Sequence, residues 1–302
     1  MDMEVTDAIE FGPVRIWPGA RSGKYPDGNQ VLVRGADVCV AFDTPLVARQ
    51  HLAELERADL VVLGHVHEDH MVALAHLPRV AVQVHAADLA AAQSWQGLAA
   101  HYGYPPDVLD ALRVVIERDF DYAPRPDATA YADGSVWELG GGVRVRAHHL
   151  PGHTAGHSAL VVESEGVAFI GDIDLTGFGP YYGDATSDLD AFECSLARVR
   201  EIDARVWVTS HHKGVVTERA EFLALLDRYA GKIAERDERL LAWLAEGPQT
   251  LAQLAGRHLL YPAGVAWPYV ASAERRTAAL HLARLARQGR VRQREDQRFA
   301  LA

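Results

Sequence analysis

Three histidines and an aspartate fall within six residues of the chain: His65, His67, Asp69 and His70. They follow an apolar run, Leu60–Leu63, that predicts a short buried strand. Side chains alternate in direction along an extended segment, so His65, His67 and Asp69 start on one face. His70 points the other way unless the chain turns there. The segment therefore predicts a dense cluster of imidazole and carboxylate groups at the end of a strand.

Such a cluster is typical of a metal site, because imidazole and carboxylate are the ligands that zinc prefers when thiolates are absent. The spacing indicates two neighbouring ions. The first would bind His65 and His67, and the second would bind Asp69 and His70. The alternative is a polar loop that happens to be rich in histidine. It is disfavoured because further ligand-type residues recur at the ends of later predicted strands.

These later residues occur in three short segments, which are 151–154 with His153, 169–172 with Asp172, and 208–211 with His211. Together with the first segment, in this order, they resemble the signature of the metallo-β-lactamase superfamily. The resemblance covers roughly residues 10 to 215. The first motif is highly specific, whereas each later piece alone would be weak.

The resemblance implies a dinuclear centre. His65, His67 and His153 would hold the first ion, with an open position for water. Asp69, His70 and His211 would hold the second, and Asp172 would bridge both. A hydroxide between two zinc ions is the expected nucleophile, since metal-bound water can ionise near pH 7. Asp69 could also pass a proton to the leaving group.

Two points about the centre stay open at this level. Iron and manganese also accept histidine and aspartate ligands, so zinc is an expectation. His211 and His212 are adjacent, and we take His211 as the ligand because it matches the strand-end histidine of the family. Lys213 either meets an anionic substrate or is a solvated lysine.

The same resemblance implies the fold. Alternating strands and helices indicate an α/β protein, and the family adds an αββα sandwich of two sheets with helices outside. Residues 29–33 and 38–43 predict a hairpin. It ends at Asp43, which either orients a ligand histidine or is a solvent-facing turn residue. Residues 86–122 are either a helical cap over the site mouth or a plain connector. Residues 175–184, rich in Gly and Tyr, are expected in the pocket wall.

The C-terminal part differs in composition and charge. The chain has a net charge of −11, but residues 235–302 hold 11 Arg against 7 Asp and Glu, or +4, which leaves −15 for the rest. We therefore predict a catalytic domain over 1–234 and a small domain over 235–302. Its helix, turn, helix, helix and β-wing pattern resembles a winged helix. It would pack on the body and help close the pocket or a homodimer, and DNA recognition is the disfavoured alternative.

Composition excludes several classes of protein. No apolar run approaches the roughly 18 residues of a membrane span. The N-terminus is acidic and lacks the apolar block of a secretory signal. With only Cys39 and Cys194 present, a disulfide framework is not expected and a cytoplasmic location is the default. The acidic body argues against nucleic acid as a partner.

Three functions remain. The favoured one is a metal-dependent hydrolase that cleaves an ester, thioester, lactone or phosphoester of a small-molecule substrate. One alternative is an oxidoreductase with a single iron, similar to the persulfide dioxygenases, and another is a metal-dependent ribonuclease. Seven candidate ligands favour two metals and hence hydrolysis. The metal motifs are similar to those of glyoxalase II, but we find no counterpart of the basic cluster that holds glutathione there.

Overall fold

The computed structural model describes residues 7–302. Residues 1–6, where we expect no secretory signal, lie outside the described residues. The strands of the described part are β1 (Ile9–Phe11), β2 (Val14–Trp17), β3 (Gln30–Arg34), β4 (Cys39–Phe42), β5 (Leu60–Leu63), β6 (Ala81–His85), β7 (Thr129–Tyr131), β8 (Val136–Gly140), β9 (Val143–His149), β10 (Ser158–Val162), β11 (Val167–Phe169), β12 (Val206–Val208), β13 (Val215–Val216), β14 (Val291–Gln293) and β15 (Phe299–Leu301).

The helices of the same part are α1 (Ala20–Gly23), α2 (Leu52–Leu55), α3 (Leu89–Gln93), α4 (Trp95–Tyr102), α5 (Pro106–Asp119), α6 (Leu189–Arg200), α7 (Arg219–Ala245), α8 (Leu251–Ala255) and α9 (Val270–Arg287). Short 3₁₀ helices cover Leu46–Gln50, Glu68–His70, Val72–His76 and Ala86–Asp88. The α1 segment is a single turn whose central residues have left-handed backbone angles.

Two mixed sheets form the centre of the fold. The first runs in the order β1 to β7, antiparallel up to β4 and parallel from β4 to β7. The second has the order β13-β12-β11-β10-β9-β8, with only the β11–β12 pair parallel. The predicted hairpin is confirmed as β3 and β4. Parallel strands have their carboxyl ends at the same edge, which is where motif residues can meet.

The sheets pack face to face through alternating apolar residues. Phe42 of β4 meets Phe169 of β11 with ring centroids 5.9 Å apart. On the outer face of the first sheet, Leu63 packs in the cluster that holds α3 to α5. On the outer face of the second sheet, Trp207 stacks on Phe222 of α7 at 4.3 Å. Each sheet thus has helices on its outer side, and the predicted αββα arrangement is confirmed.

The helical insert differs in detail from the prediction. The sequence pattern does not predict helix α4, although its ends are well defined. Ser94 caps the first turn by accepting the Gly97 N–H, and Gly103 ends the helix with a φ of 64°. Strands β1 and β7 are also absent from the prediction, because they are three-residue edge segments without clear alternation.

The predicted boundary between residues 234 and 235 falls inside α7, a continuous helix of 27 residues. Beyond it, α8, α9 and the β14–β15 hairpin enclose a small core of their own that includes Leu240, Leu254 and Leu282. The division into two domains stays a prediction. Within residues 7–302, no helix combines the length and the apolar character that a membrane crossing requires.

Candidate metal centre

All seven predicted ligands lie just beyond the carboxyl ends of strands. The cluster from His65 to His70 follows β5, and Glu68–His70 form a 3₁₀ turn that brings His70 round to the same side. His153 follows β9, Asp172 follows β11, and His211 follows β12. The six side chains other than Asp172 are buried, and Asp172 is partly exposed. The strand ends therefore bring residues that are far apart in sequence into one cluster.

Three imidazole nitrogens form the first half of this cluster. His153 Nε2 lies 3.2 Å from His65 Nε2 and 3.1 Å from His67 Nδ1. The distance between His65 Nε2 and His67 Nδ1 is 3.2 Å. Asp172 Oδ2 completes the group at 3.3 Å from His153 Nε2. These four residues have ligand atoms close enough together to hold one metal ion.

The second half is formed by Asp69, His70 and His211, which make up a further group of potential ligands. His211 Nε2 lies 3.0 Å from Asp69 Oδ2, and His70 Nε2 lies 3.7 Å from Asp69 Oδ1. The other Asp172 oxygen, Oδ1, is 3.1 Å from His70 Nε2 and 3.6 Å from His211 Nε2. Asp172 therefore presents one oxygen to each half.

The ring nitrogens that face away from the cluster are held by oxygen atoms. His67 Nε2 donates to Asp184 at 2.8 Å, and His70 Nδ1 donates to Asp43 at 2.8 Å. Backbone carbonyls hold the other two rings, where His153 Nδ1 donates to Tyr181 at 3.0 Å and His211 Nδ1 donates to Asp27 at 2.7 Å. With the outer nitrogen protonated, the inner nitrogen of each ring carries the lone pair that a metal needs.

Several buried inner atoms face one another without forming a hydrogen bond of normal geometry. They are Asp69 Oδ2, His70 Nε2, Asp172 Oδ1 and His211 Nε2. Buried polar atoms normally find a partner, because leaving one without a partner costs free energy. These four atoms lie close together, and all of the donor atoms in the cluster are nitrogen or oxygen. Such a set of donors is suited to divalent metal ions. The residues present thus fit the pair of ions that the sequence predicts.

The electrostatics of the protein without metal agree with this assignment. Burial lowers the pKa of His67, but the hydrogen bond and charge of Asp184 outweigh it and raise the pKa to about 9. Burial likewise lowers the pKa of His211, but the charges of Asp172 and Asp69 raise it to about 10. In the protein without metal, His67 and His211 therefore carry protons on the nitrogens that would bind the metal, and metal binding has to displace these protons.

Asp43 is the clearest gain over the sequence prediction, which left two roles open. It is buried, accepts the His70 proton and also accepts the Gly64 N–H at 2.7 Å. Its backbone has a φ of 52°, in the left-handed region. Asp43 thus orients a histidine of the cluster and is not a solvent-facing turn residue.

Asp184 has an equivalent position beside His67, and the sequence analysis does not single it out. Its carboxylate accepts protons from His67, from Tyr104 and from Tyr181. It ends the Gly- and Tyr-rich loop, twelve residues beyond Asp172, and no motif marks it. The only hint in the sequence is that Asp184 belongs to the loop 175–184, which we expect in the pocket wall.

Asp88 joins the two loops that carry the histidines. Its carboxylate accepts the Thr154 hydroxyl at 2.7 Å and the Gly156 N–H at 2.8 Å. It also accepts the Val66 N–H at 3.3 Å. His157, whose position the sequence leaves open, accepts the Asp172 N–H at its Nε2 and so supports the strand end that carries Asp172.

Neighbouring histidines stay outside the cluster. His212 lines the adjacent cavity but is absent from the groups of potential ligands, which contain His211. His149 stacks on His85 at 3.9 Å and is likewise absent from the groups of potential ligands. The choice of His211 over His212 agrees with this placement.

A cavity of about 490 Å³ opens onto the cluster. Its lining includes Asp69, Asp172 and three ligand histidines together with many aromatic side chains. The aromatic members are Tyr25, Tyr102, Tyr104, Phe178, Tyr181, Tyr261, Trp267 and Tyr269. The insert supplies two of them and the loop 175–184 another two. The loop is thus where we expect it, and of the two interpretations of the insert the lining favours the cap. Trp95 packs instead on Tyr122.

The aromatic rings form a near-parallel row that starts at the metal cluster. Tyr102 stacks beside His67 at 5.8 Å, Tyr104 beside Tyr102 at 5.5 Å, and Tyr269 beside Tyr104 at 6.2 Å. The angles between successive planes are 11°, 10° and 9°. We call these tyrosine rings, with Trp267, Tyr25, Tyr181 and Tyr261, the aromatic wall.

Buried polar contacts fix the position of the aromatic side chains that the C-terminal part contributes to the wall. Glu274 of α9 accepts three successive backbone N–H groups of one loop, those of Leu259, Leu260 and Tyr261. Arg236 donates to the carbonyls of Pro180 and Phe178 and to the Tyr182 hydroxyl. The segment after residue 235 is thus joined to the loop that carries Asp184.

Comparison with known proteins identifies the family. The family model of the metallo-β-lactamase superfamily matches residues 28–233. The chain belongs to the metallo-β-lactamase superfamily. The matched range contains all seven predicted ligands, as the sequence resemblance requires.

Curated relatives of this superfamily member include an atrochrysone carboxyl ACP thioesterase of Pseudocercospora fijiensis (strain CIRAD86). It is 26% identical over 152 residues, which are 50% of this chain and 42% of the relative. A protein with the same description from Aspergillus fumigatus is 27% identical over 165 residues, or 55% of this chain and 41% of the relative. The chain thus spans about two fifths of the length of the curated relatives it matches.

Solved structures extend the likeness over almost the whole chain. A metallo-β-lactamase family protein from Thermus thermophilus has a TM-score of 0.68 and 26% identity, and the match covers 91% of this chain and 94% of that one. A β-lactamase domain protein from Burkholderia ambifaria has a TM-score of 0.69 at 20% identity, covering 100% and 96%. At this identity the second likeness concerns the fold.

Proposed function

We propose that this member of the metallo-β-lactamase superfamily is a metal-dependent hydrolase that cleaves thioesters at a centre of two zinc ions. The observation that carries the proposal is the convergence of seven ligand side chains, with unpartnered inner atoms, at the end of a large aromatic cavity. Thioester cleavage is favoured within the hydrolases because curated relatives are named as thioesterases.

The assigned residues have separate tasks. His65, His67 and His153 would hold one ion, Asp69, His70 and His211 would hold the other, and Asp172 would contribute to both. When bound, the ions supply Lewis acidity for the substrate carbonyl and for an attacking water. Asp43 and Asp184 keep His70 and His67 in the tautomers that ligation requires.

The rest of the cavity would bind and enclose the substrate. The aromatic wall offers a large apolar surface for the acyl group, and its buried rings keep bulk water away from the thioester. Asp69 lines the cavity and is the carboxylate that we assign to proton transfer to the leaving group. A thiolate leaves more readily than an alkoxide, so this proton is needed less for a thioester than for an oxygen ester.

Metal analysis with a matched substrate panel tests the proposal. Purified protein should contain two zinc ions per chain, and removal of the metal should abolish hydrolysis that zinc then restores. A thioester should be cleaved faster than the oxygen ester, the lactone and the phosphodiester in the panel. One iron per chain, with oxygen consumed on a persulfide substrate, would instead indicate the oxidoreductase alternative.

The C-terminal part belongs to the same proposal. We infer a winged-helix-like unit over residues 235–302 whose task is to complete the substrate pocket, because Tyr261, Trp267 and Tyr269 line the cavity. A homodimer, a cytoplasmic location and the lack of a nucleic-acid partner remain predictions. Size measurement of the purified protein, with and without added DNA, tests the first and the last.

A further inference from the structure

Two turns with left-handed backbone lie next to each other beside the cavity, whose lining includes Lys24 and His212. In α1, Arg21 has a φ of 54° and Ser22 a φ of 60°, and Gly23 follows at 75°. In the turn after β12, His212 has a φ of 61°. Residues other than glycine rarely adopt these backbone angles, and they do so only where the surrounding structure holds them. Three such residues in two adjoining turns indicate that the backbone is held in one particular conformation here.

Hydrogen bonds join the α1 turn to the segment that carries His211. The Gly23 carbonyl accepts the His212 N–H at 3.4 Å and lies 3.2 Å from His211 Nδ1. Asn29 Nδ2 donates both to the Ser22 carbonyl at 3.1 Å and to the Thr209 carbonyl at 3.0 Å. The position of the α1 turn is therefore fixed relative to the metal centre.

These turns present cations that lack partners. Arg21, Lys24 and Lys213 are exposed, and among residues 7–302 none of their side chains has an ion pair or hydrogen bond. The chain contains only three lysines, and two of them are here. The nearby Asp27 does not neutralise them, since its carboxylate is buried and accepts backbone N–H groups, including that of Ala20. We call Arg21, Lys24 and Lys213 the basic rim.

The basic rim differs in charge from the interior of the cavity. Lys24 is the only lysine or arginine in the described lining, and it stands beside His212. Apart from the residues that would hold the metal, the rest of the described lining offers an anion no arginine and no second lysine. A substrate with an anionic group remote from the thioester would therefore place it beside Lys24.

We propose that the basic rim binds a phosphate carried by the thiol half of the substrate, as in phosphopantetheine thioesters, while the aromatic wall takes the acyl half. The inference rests on the proposed thioester hydrolysis. Lysine attracts phosphate as a point charge, and arginine adds a planar pair of donors. The rim thus specifies the leaving group, a role that the metal centre alone cannot fill.

A matched pair of substrates tests the rim. The same acyl group is attached to 4′-phosphopantetheine and to pantetheine, which differ only in the phosphate, and the zinc-loaded full chain is assayed with both. The phosphorylated thioester should have a kcat/KM about tenfold higher at low salt, the scale of a few exposed ion pairs. The preference should shrink as ionic strength rises, because exposed charges are screened.

Substitution of the rim should remove the preference. In Arg21→Gln/Lys24→Gln/Lys213→Gln the ratio of the two kcat/KM values should fall close to one. Lys24→Gln alone should lower it partially, which guards against loss of fold in the triple variant. Arg292→Gln is the matched control, because Arg292 is an exposed arginine on β14 and should leave the ratio unchanged.

The outcomes separate the two proposals. Hydrolysis of both thioesters at equal kcat/KM would support the thioesterase and overturn the rim. If neither thioester is cleaved, calorimetric titration with free 4′-phosphopantetheine and pantetheine decides about the rim by itself. Tighter binding of the phosphorylated compound that the triple variant loses would support the rim, and equal binding would overturn it. The same acyl group can also be assayed on phosphopantetheine that is attached to a carrier protein. If only this protein-bound thioester is preferred, the rim is overturned, since the charge recognised would then be that of the carrier protein.

Discussion

The proposed metal centre and the aromatic wall line the same cavity but are constructed in different ways. Every predicted ligand lies in a short motif after a strand, and the strand ends bring the motifs together. The wall takes its rings from four separate segments, which are the start of the chain, the helical insert, the loop 175–184 and the C-terminal part. None of these rings belongs to a motif.

This difference in construction matches the two tasks that we propose, which are catalysis at the metal centre and substrate selection at the aromatic wall. A metal centre tolerates little variation, because each ligand has to present one particular atom at about 2 Å from the ion. A wall needs only apolar area in the right place, which many residues can supply. Variants of the two regions should therefore have different signatures, with metal content lost in one and substrate affinity lost in the other.

The largest effect is expected for Asp172→Ala. Because Asp172 presents one oxygen to each half of the cluster, its loss should lower zinc content to one ion or less per chain and reduce turnover more than about 100-fold. Metal analysis and steady-state kinetics measure both. Asp296→Ala, on the exposed C-terminal hairpin, is the control and should be unaffected. Normal zinc content and turnover in Asp172→Ala would refute the bridging assignment.

Asp184→Asn should have the next largest effect. The amide lacks the negative charge with which Asp184 accepts the hydrogen bond of His67. The zinc affinity of the group His65, His67 and His153 should therefore fall about 10- to 100-fold, as is usual when a residue that orients a metal ligand is replaced. Competition with a chelator measures this affinity. Tyr104→Phe removes one hydrogen bond to the same carboxylate and should have a smaller effect. Unchanged zinc affinity in Asp184→Asn would show that Asp184 only shapes the wall.

Zinc affinity should also depend on pH. In the protein without metal, the pKa values of about 9 for His67 and about 10 for His211 keep both rings protonated at neutral pH. Zinc binds neutral imidazole, so affinity should rise with pH until these values are passed, by about tenfold per unit for each proton displaced. Titrations at several pH values in two buffers of different ionisation enthalpy measure the protons released. Release of none would contradict the assignment.

Substitutions in the wall should leave the metal in place. Trp267→Ala and Tyr269→Ala remove large rings from the cavity, and kcat/KM should fall about three- to tenfold, mainly through KM, with two zinc ions retained. Trp243→Ala is the matched control, because Trp243 packs in the small C-terminal core and does not line the cavity. Equal losses in all three variants would indicate a general effect on stability.

Much of the centre could be predicted because its signal is local. His65, His67, Asp69 and His70 stand within six residues, and His153, Asp172 and His211 each follow a β-rich segment within a few residues. The αββα layers follow from the family resemblance, whereas periodicity alone indicates only an α/β protein. Helix α4 and the edge strands β1 and β7 escape prediction, since short elements carry too little periodicity to stand out.

The sequence by itself determined the candidate ligands and the strands that deliver them, since both depend on neighbours a few residues apart. Only the tertiary structure decided that Asp184 supports His67 across 117 positions, that Tyr269 continues the row begun by Tyr102, and that the turn before Lys24 adjoins the turn that carries His212. Such contacts depend on how separate layers pack, and a pattern of local spacing contains no information about residues that only packing brings together.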